Sequence, residues 1–124
     1  MDYLEFDSHE SAEGVRSFEA MASVNEARWP ALQAELTQVL AWCHAWGRAH
    51  GAPEPLALDD GGEWDVDLQV TREWSEPMAT HYEPQRADLR LQPSGGTHSR
   101  WVATLVVSGH EAFATDFSVQ FLGE

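Results

Sequence analysis

Residues 63–74 read Glu63-Trp64-Asp65-Val66-Asp67-Leu68-Gln69-Val70-Thr71-Arg72-Glu73-Trp74. Trp64, Val66, Leu68, Val70, Arg72 and Trp74 fall on one parity, and only polar or acidic residues fall on the other. A strand sends successive side chains to opposite faces, so this stretch predicts a strand with one dry side and one wet side. Such a strand belongs to an antiparallel sheet covered on a single face, and it needs a covering element elsewhere in the chain.

The cover is found upstream. Leu32, Leu36, Val39, Leu40, Cys43 and Trp46 recur at helical spacing and draw one apolar stripe down a helix beginning near Trp29. Pro30 suits the first turn of that helix, where its missing N–H is harmless. Ser23 and Glu26 offer an earlier capping box, but a start there would strand Pro30 beyond the first turn. Gly47 or Gly51 can supply the C-terminal cap, and the Pro- and Gly-rich residues 52–62 read as a loop.

Period two returns downstream at 86–92 and 101–108, and again at Phe113, Thr115, Phe117, Val119 and Phe121. Ser108-Gly109-His110-Glu111 predicts a type II′ hairpin turn before that last strand. Pro93-Ser94-Gly95-Gly96 predicts a longer hairpin loop, and residues 75–85 a long connection stiffened by two prolines. Upstream of the helix, residues 3–7 suggest a short strand. Phe18, Ala20, Ala22 and Val24 suggest a second, with 8–14 as the turn and a helix over 10–22 as the competing reading. The expectation is one α+β domain over residues 1–124. About six antiparallel strands in the order ββ-α-ββββ pack on one long helix in two layers.

Charge divides the chain unevenly. Formal net charge is −14, from 21 acids and seven arginines, without a single lysine. Residues 1–26 hold seven acids and one arginine, and residues 59–83 hold eight acids and one arginine. Charges this dense must be solvated, bound to a cation or turned toward a basic partner. Nucleic acid and anionic membrane are poor partners for such a surface. No apolar run approaches the roughly 20 residues of a bilayer span. The opening residues lack the features of a secretory signal, and the sole cysteine, Cys43, suits a reducing compartment. A soluble cytoplasmic protein is expected.

Missing residues remove several chemistries. Without lysine there is no Walker phosphate loop and no Schiff-base enzyme. Paired Cys-x-x-Cys motifs, nucleophile elbows and dinucleotide fingerprints are absent as well. His44 follows Cys43 directly, and adjacent helical residues point about 100° apart, so the two form no nucleophile–base pair. No catalytic residue, cofactor or metal site is assigned. The loop from Asp59 to Asp65 has hard oxygens round a glycine turn but lacks EF-hand spacing.

Two candidate surfaces remain. Asp59, Asp60, Glu63, Asp65 and Asp67 form an acidic ladder, suited either to a basic protein partner or simply to keeping a strand face solvated and unaggregated. Arg72 is a charge on an otherwise apolar face. It is a candidate to share a ligand pocket with Trp74, His81, Tyr82 and Trp101, His81 being the best acid–base group near neutral pH. The plainer reading has Arg72 reaching water or a core-edge acid. The first surface points to a non-catalytic interaction protein, an inhibitor, immunity-type or chaperone-type factor, with a tryptophan anchor from Trp29, Trp42 and Trp74. The second points to a small-ligand pocket or modest acid–base enzyme between sheet and helix. A homo-oligomer is compatible with either.

Overall fold

A computed structural model describes residues 1–11 and 13–124; Ala12, inside the expected 8–14 turn and the competing 10–22 helix, lies outside the described residues. The chain runs through β1 (Asp7–Glu10), β2 (Arg16–Asn25), α1 (Trp29–Ala49), β3 (Trp64–Ser75), β4 (Met78–Glu83), β5 (Asp88–Pro93), β6 (His98–Gly109) and α2 (Glu111–Leu122). Four strands form an antiparallel sheet in the order β1-β2-β6-β3, and β4 and β5 form a separate two-stranded ribbon. The expected α+β class, with six antiparallel strands and one long helix, is the architecture observed.

Helix α1 begins at Trp29, with Pro30 in its first turn, and buries Leu32, Leu36, Val39, Cys43 and Trp46 of the expected stripe, with Leu40 half-buried. Gly51, at φ +76°, supplies the left-handed residue just past the helix end. Gly47 is instead a packing residue. The Trp64 indole donates to the Ala52 carbonyl at 2.8 Å, and a Cβ on Gly47 would collide with both groups.

The inner sheet face carries Phe18, Ala20, Ala22, Val24, Ala103, Leu105, Val107 and Trp64, all buried beneath the helices. The N-terminal segment is tied to α1 rather than paired as the expected strand over 3–7. Backbone N–H groups of Asp2, Tyr3 and Leu4 all donate to the Glu35 carboxylate, and Leu4 is buried. β1 begins only at Asp7.

Two further local expectations are corrected. Residues 111–122 are a helix, not a strand: Phe113 and Phe117 are buried with Ala114, while Val119 is exposed. A spacing of four serves a helix and a strand alike, so the phenylalanines alone could not decide between them. His110 does not turn a hairpin; it holds extended backbone at the helix N-cap, and its carbonyl accepts from Ala114 N–H at 2.9 Å. The Phe113 ring stacks on Trp64, and Phe117 packs on Phe18 at 4.6 Å between centroids.

The second correction concerns residues 75–97. The expected connection over 75–85 contains strand β4, and the chain reverses at 84–87 rather than at 93–96. β3 pairs with β6 from Trp64↔Gly109 to Ser75↔His98, and β4 pairs with β5 from Met78↔Pro93 to Glu83↔Asp88. The four together are one long hairpin, interrupted where Glu76-Pro77 faces the longer Ser94–Thr97. Pro77 has no N–H for a ladder, and Ser94 bridges the break by donating its N–H and hydroxyl to the Pro77 carbonyl at 3.1 and 3.0 Å.

Candidate functional site

Both helices lie on the inner face, and among the described residues no element covers the outer face of the four-stranded sheet. Residues directly opposite in an antiparallel pair point to the same side. The register therefore aligns Asp7, Glu19, Val106 and Asp67 in one row across all four strands. The next row toward the Trp64 end holds His9, Ser17, Ser108 and Asp65. Neighbouring strands lie about 4.8 Å apart, so Glu19 and Asp67 stand about 10 Å apart, near the Debye length of about 8 Å at physiological salt.

At the same end, Glu13, Asp59 and Asp65 line an open concavity of 290 Å³ with Ser11, Ser17 and Ser108. Acids from both charged blocks of the sequence thus border one surface. Asp60 is exposed in the short turn of 3-10 helix over Leu58–Asp60, and Glu63 is exposed just before β3. Among the described residues, no three His, Cys, Asp or Glu side chains are grouped to hold a metal ion. Beyond the acidic rows, Met21 is exposed on the same face beside Thr104 and Gln69, and Val102 is half-buried; Val106, within the first row, is half-buried between Glu19 and Asp67.

Arg72 stands at the far end of the inner face. Its guanidinium donates to Glu26 Oε1 at 2.9 Å and lies 4.3 Å from the Trp74 ring and 5.1 Å from the Trp101 ring. Glu26 Oε2 accepts from the Ser99 hydroxyl at 2.6 Å and the Trp101 indole at 2.8 Å. Trp29 stacks on Trp101 at 4.3 Å between centroids. Those bonds from Ser99 and Trp101, helped by the Arg72 charge, hold the Glu26 carboxyl below its ordinary value despite some desolvation. The arginine on the apolar face is therefore engaged by an acid at the core edge, which lies in the N-terminal block, 46 residues away in sequence.

The five pocket candidates divide. Arg72, Trp74 and Trp101 share this cluster, whereas His81 and Tyr82 stand on β4. His81 lies 3.6 Å from Glu83, and the concavity it lines is made by β4 and β5 residues alone. The space between sheet and helices is filled by Leu32, Val39, Cys43, Trp64, Phe113 and Phe117, all fully buried. Of the three tryptophan anchors considered, only Trp74 is exposed. Trp29 is covered by Trp101, and Trp42 packs against Phe113, Phe117 and Phe121.

Sequence reasoning read the β5 half of the ribbon as the strand over 86–92 but passed over β4. Met78, Thr80 and Tyr82 of β4 lie opposite Pro93, Leu91 and Leu89 of β5, which gives one apolar face. Ala79, His81 and Glu83 lie opposite Gln92, Arg90 and Asp88 on the other. The signal was the alternation of residues 78–83, masked by the flanking prolines.

No family model, curated protein or solved structure matches this chain.

Proposed function

We propose that this chain is a non-catalytic, acidic interaction domain, working in the cytoplasm, that binds a more basic protein as an inhibitor, immunity-type or chaperone-type factor. The observation that carries the reading is the row Asp7, Glu19 and Asp67, in which both acidic blocks meet on a sheet face without a covering layer. Asp65 and Asp59 extend the negative surface at one end. Val106 within the row, and Met21 and Val102 to one side of it, supply the apolar area an interface needs beside its charges. Acids so placed speed encounter with a basic surface and select against acidic ones. The ligand-pocket or acid–base-enzyme reading has weaker support, because the interior is filled and Glu26 engages Arg72.

The test is charge reversal on the exposed row. Glu19→Lys with Asp67→Lys should leave the fold intact, since both side chains stand in water. Proteins captured from native lysate by the wild type and by this variant are compared, and association of the captured protein is then timed in rising salt. A basic protein should bind the wild type with an on-rate that falls steeply with salt, and at least about tenfold on reversal. Binding indifferent to both salt and reversal would remove the proposal.

A further inference from the structure

Among the described residues, none covers the apolar face of the β4–β5 ribbon. Met78 is 45% exposed, Tyr82 56%, Leu89 60% and Leu91 57%. A two-stranded ribbon alone is marginally stable in water and needs a third strand or a packed layer. An exposed apolar patch of this kind on a soluble domain marks an interaction surface. We propose that it is the contact through which two copies of this chain associate, ribbon on ribbon, about a two-fold axis.

Charge selects the occupant. Residues 76–97 hold three acids (Glu76, Glu83, Asp88) and two arginines (Arg86, Arg90), in a chain whose net charge is −14. On the polar face of the ribbon, Arg90 meets Asp88 at 3.1 Å and His81 meets Glu83 at 3.6 Å. A basic partner finds little net attraction there, and a second copy finds little repulsion. The face is also suited to itself. Its three rows are Met78 with Pro93, Thr80 with Leu91, and Tyr82 with Leu89. An axis through the Thr80–Leu91 row sets the tip row of one ribbon on the base row of its partner, the self-complementary geometry of a two-fold interface. It also leaves the two acidic sheets at opposite ends of the joined ribbons, where their repulsion is weakest. Leu91 then sits at the axis, and Tyr82 and Leu89 pack on the Met78–Pro93 row of the second copy as flanking anchors.

Sedimentation of the full chain over a range of concentrations, at low and high salt, tests this. A concentration-dependent dimer is expected, strengthened by salt because repulsion between two −14 chains is screened. That sign is opposite to the one for a basic partner on the acidic sheet face, so failure of one reading leaves the other standing. Leu89→Asp with Leu91→Asp should weaken the dimer at least about tenfold, with an unchanged far-UV spectrum, since both side chains already face water. A short bismaleimide should join two copies of Leu91→Cys and not two of Arg90→Cys, which sits on the opposite face. The buried Cys43 gives no background. A monomer under all these conditions, or a dimer that ignores both the aspartates and the position of the added cysteine, overturns the proposal.

Discussion

Glu26 belongs to the acidic N-terminal block by sequence, yet it works inside the sheet's aromatic end. Its carboxylate is held below its ordinary value of 4.5 by Ser99, Trp101 and Arg72, so its ionised form stabilises the folded state. A lowered carboxyl contributes fully above its ordinary value, and that contribution is lost as pH falls from about 4.5 through the lower folded value. Glu26→Gln should therefore destabilise the chain near pH 7. Its deficit relative to wild type should shrink on acidification to about pH 3 in paired thermal melts; a deficit constant across that range would show that the charge does not matter. Cys43 titrates in the opposite direction, because burial pushes its thiol up to about 12. A disulfide reagent near pH 8 should leave it untouched in the native protein and modify it fully after unfolding. Reaction at the free-thiol rate in the native state would contradict its burial. The burial of Cys43 was legible from its place on the helical stripe, whereas the environment of Glu26 was not. Glu26 reads as one acid among seven, and its partners Arg72, Ser99 and Trp101 meet it only through the β2–β6–β3 register.

The elements that one face of a regular pattern determines were legible: α1 from its stripe, and β2 and β3 as strands from their alternation. The dry side expected of β3 is a correction, because the helices cover only its first residues: Trp64 is buried and Val66 half-buried, whereas Leu68, Val70 and Trp74 on the same face are exposed. Ambiguity entered where a pattern fits two periods. Phe113, Phe117 and Phe121 satisfy both, and the discriminating residue is Val119, which a strand would have placed with them and the helix exposes. Phe117→Ala should accordingly cost about 3–5 kcal/mol, whereas Val119→Ala should stay within about 0.5 kcal/mol. Comparable losses at both positions in denaturant melts would restore the strand. Strand β4 was hidden for another reason. Pro77 and Pro84 flank β4, and proline near a short alternating run ordinarily demotes it, but here both lie outside the ladder. Its reversal uses Ala87 at φ +49°, a conformation that glycine tolerates and a β-branched residue does not. Ala87→Val should speed amide exchange across β4 and β5 and leave β2 and β6 unchanged; Ala87→Gly should slow or preserve it.

At the scale of the whole molecule, the −14 charge is a repulsion that folding concentrates. Unfolding lets the acids of residues 1–26 and 59–83 separate, whereas the folded register sets Asp7 and Glu19 on adjacent strands and Asp67 one strand beyond Val106. The sequence showed the two blocks; which face each would reach, and that both would reach the same one, depended on β6 inserting between β2 and β3, a pairing no local pattern encodes. Spacings of about 5–10 Å across the rows lie within or near the screening length at physiological salt. Added sodium chloride should therefore raise the melting temperature, steeply at low ionic strength and then to a plateau, at concentrations where the chain is monomeric. Asp7→Asn with Glu19→Gln and Asp67→Asn removes the row while keeping each side chain's shape. This variant should melt higher than wild type in low salt and respond less to added salt, because the repulsion that salt would screen is already gone. Equal salt slopes for the two proteins would mean that the row is not where the folded chain concentrates its charge.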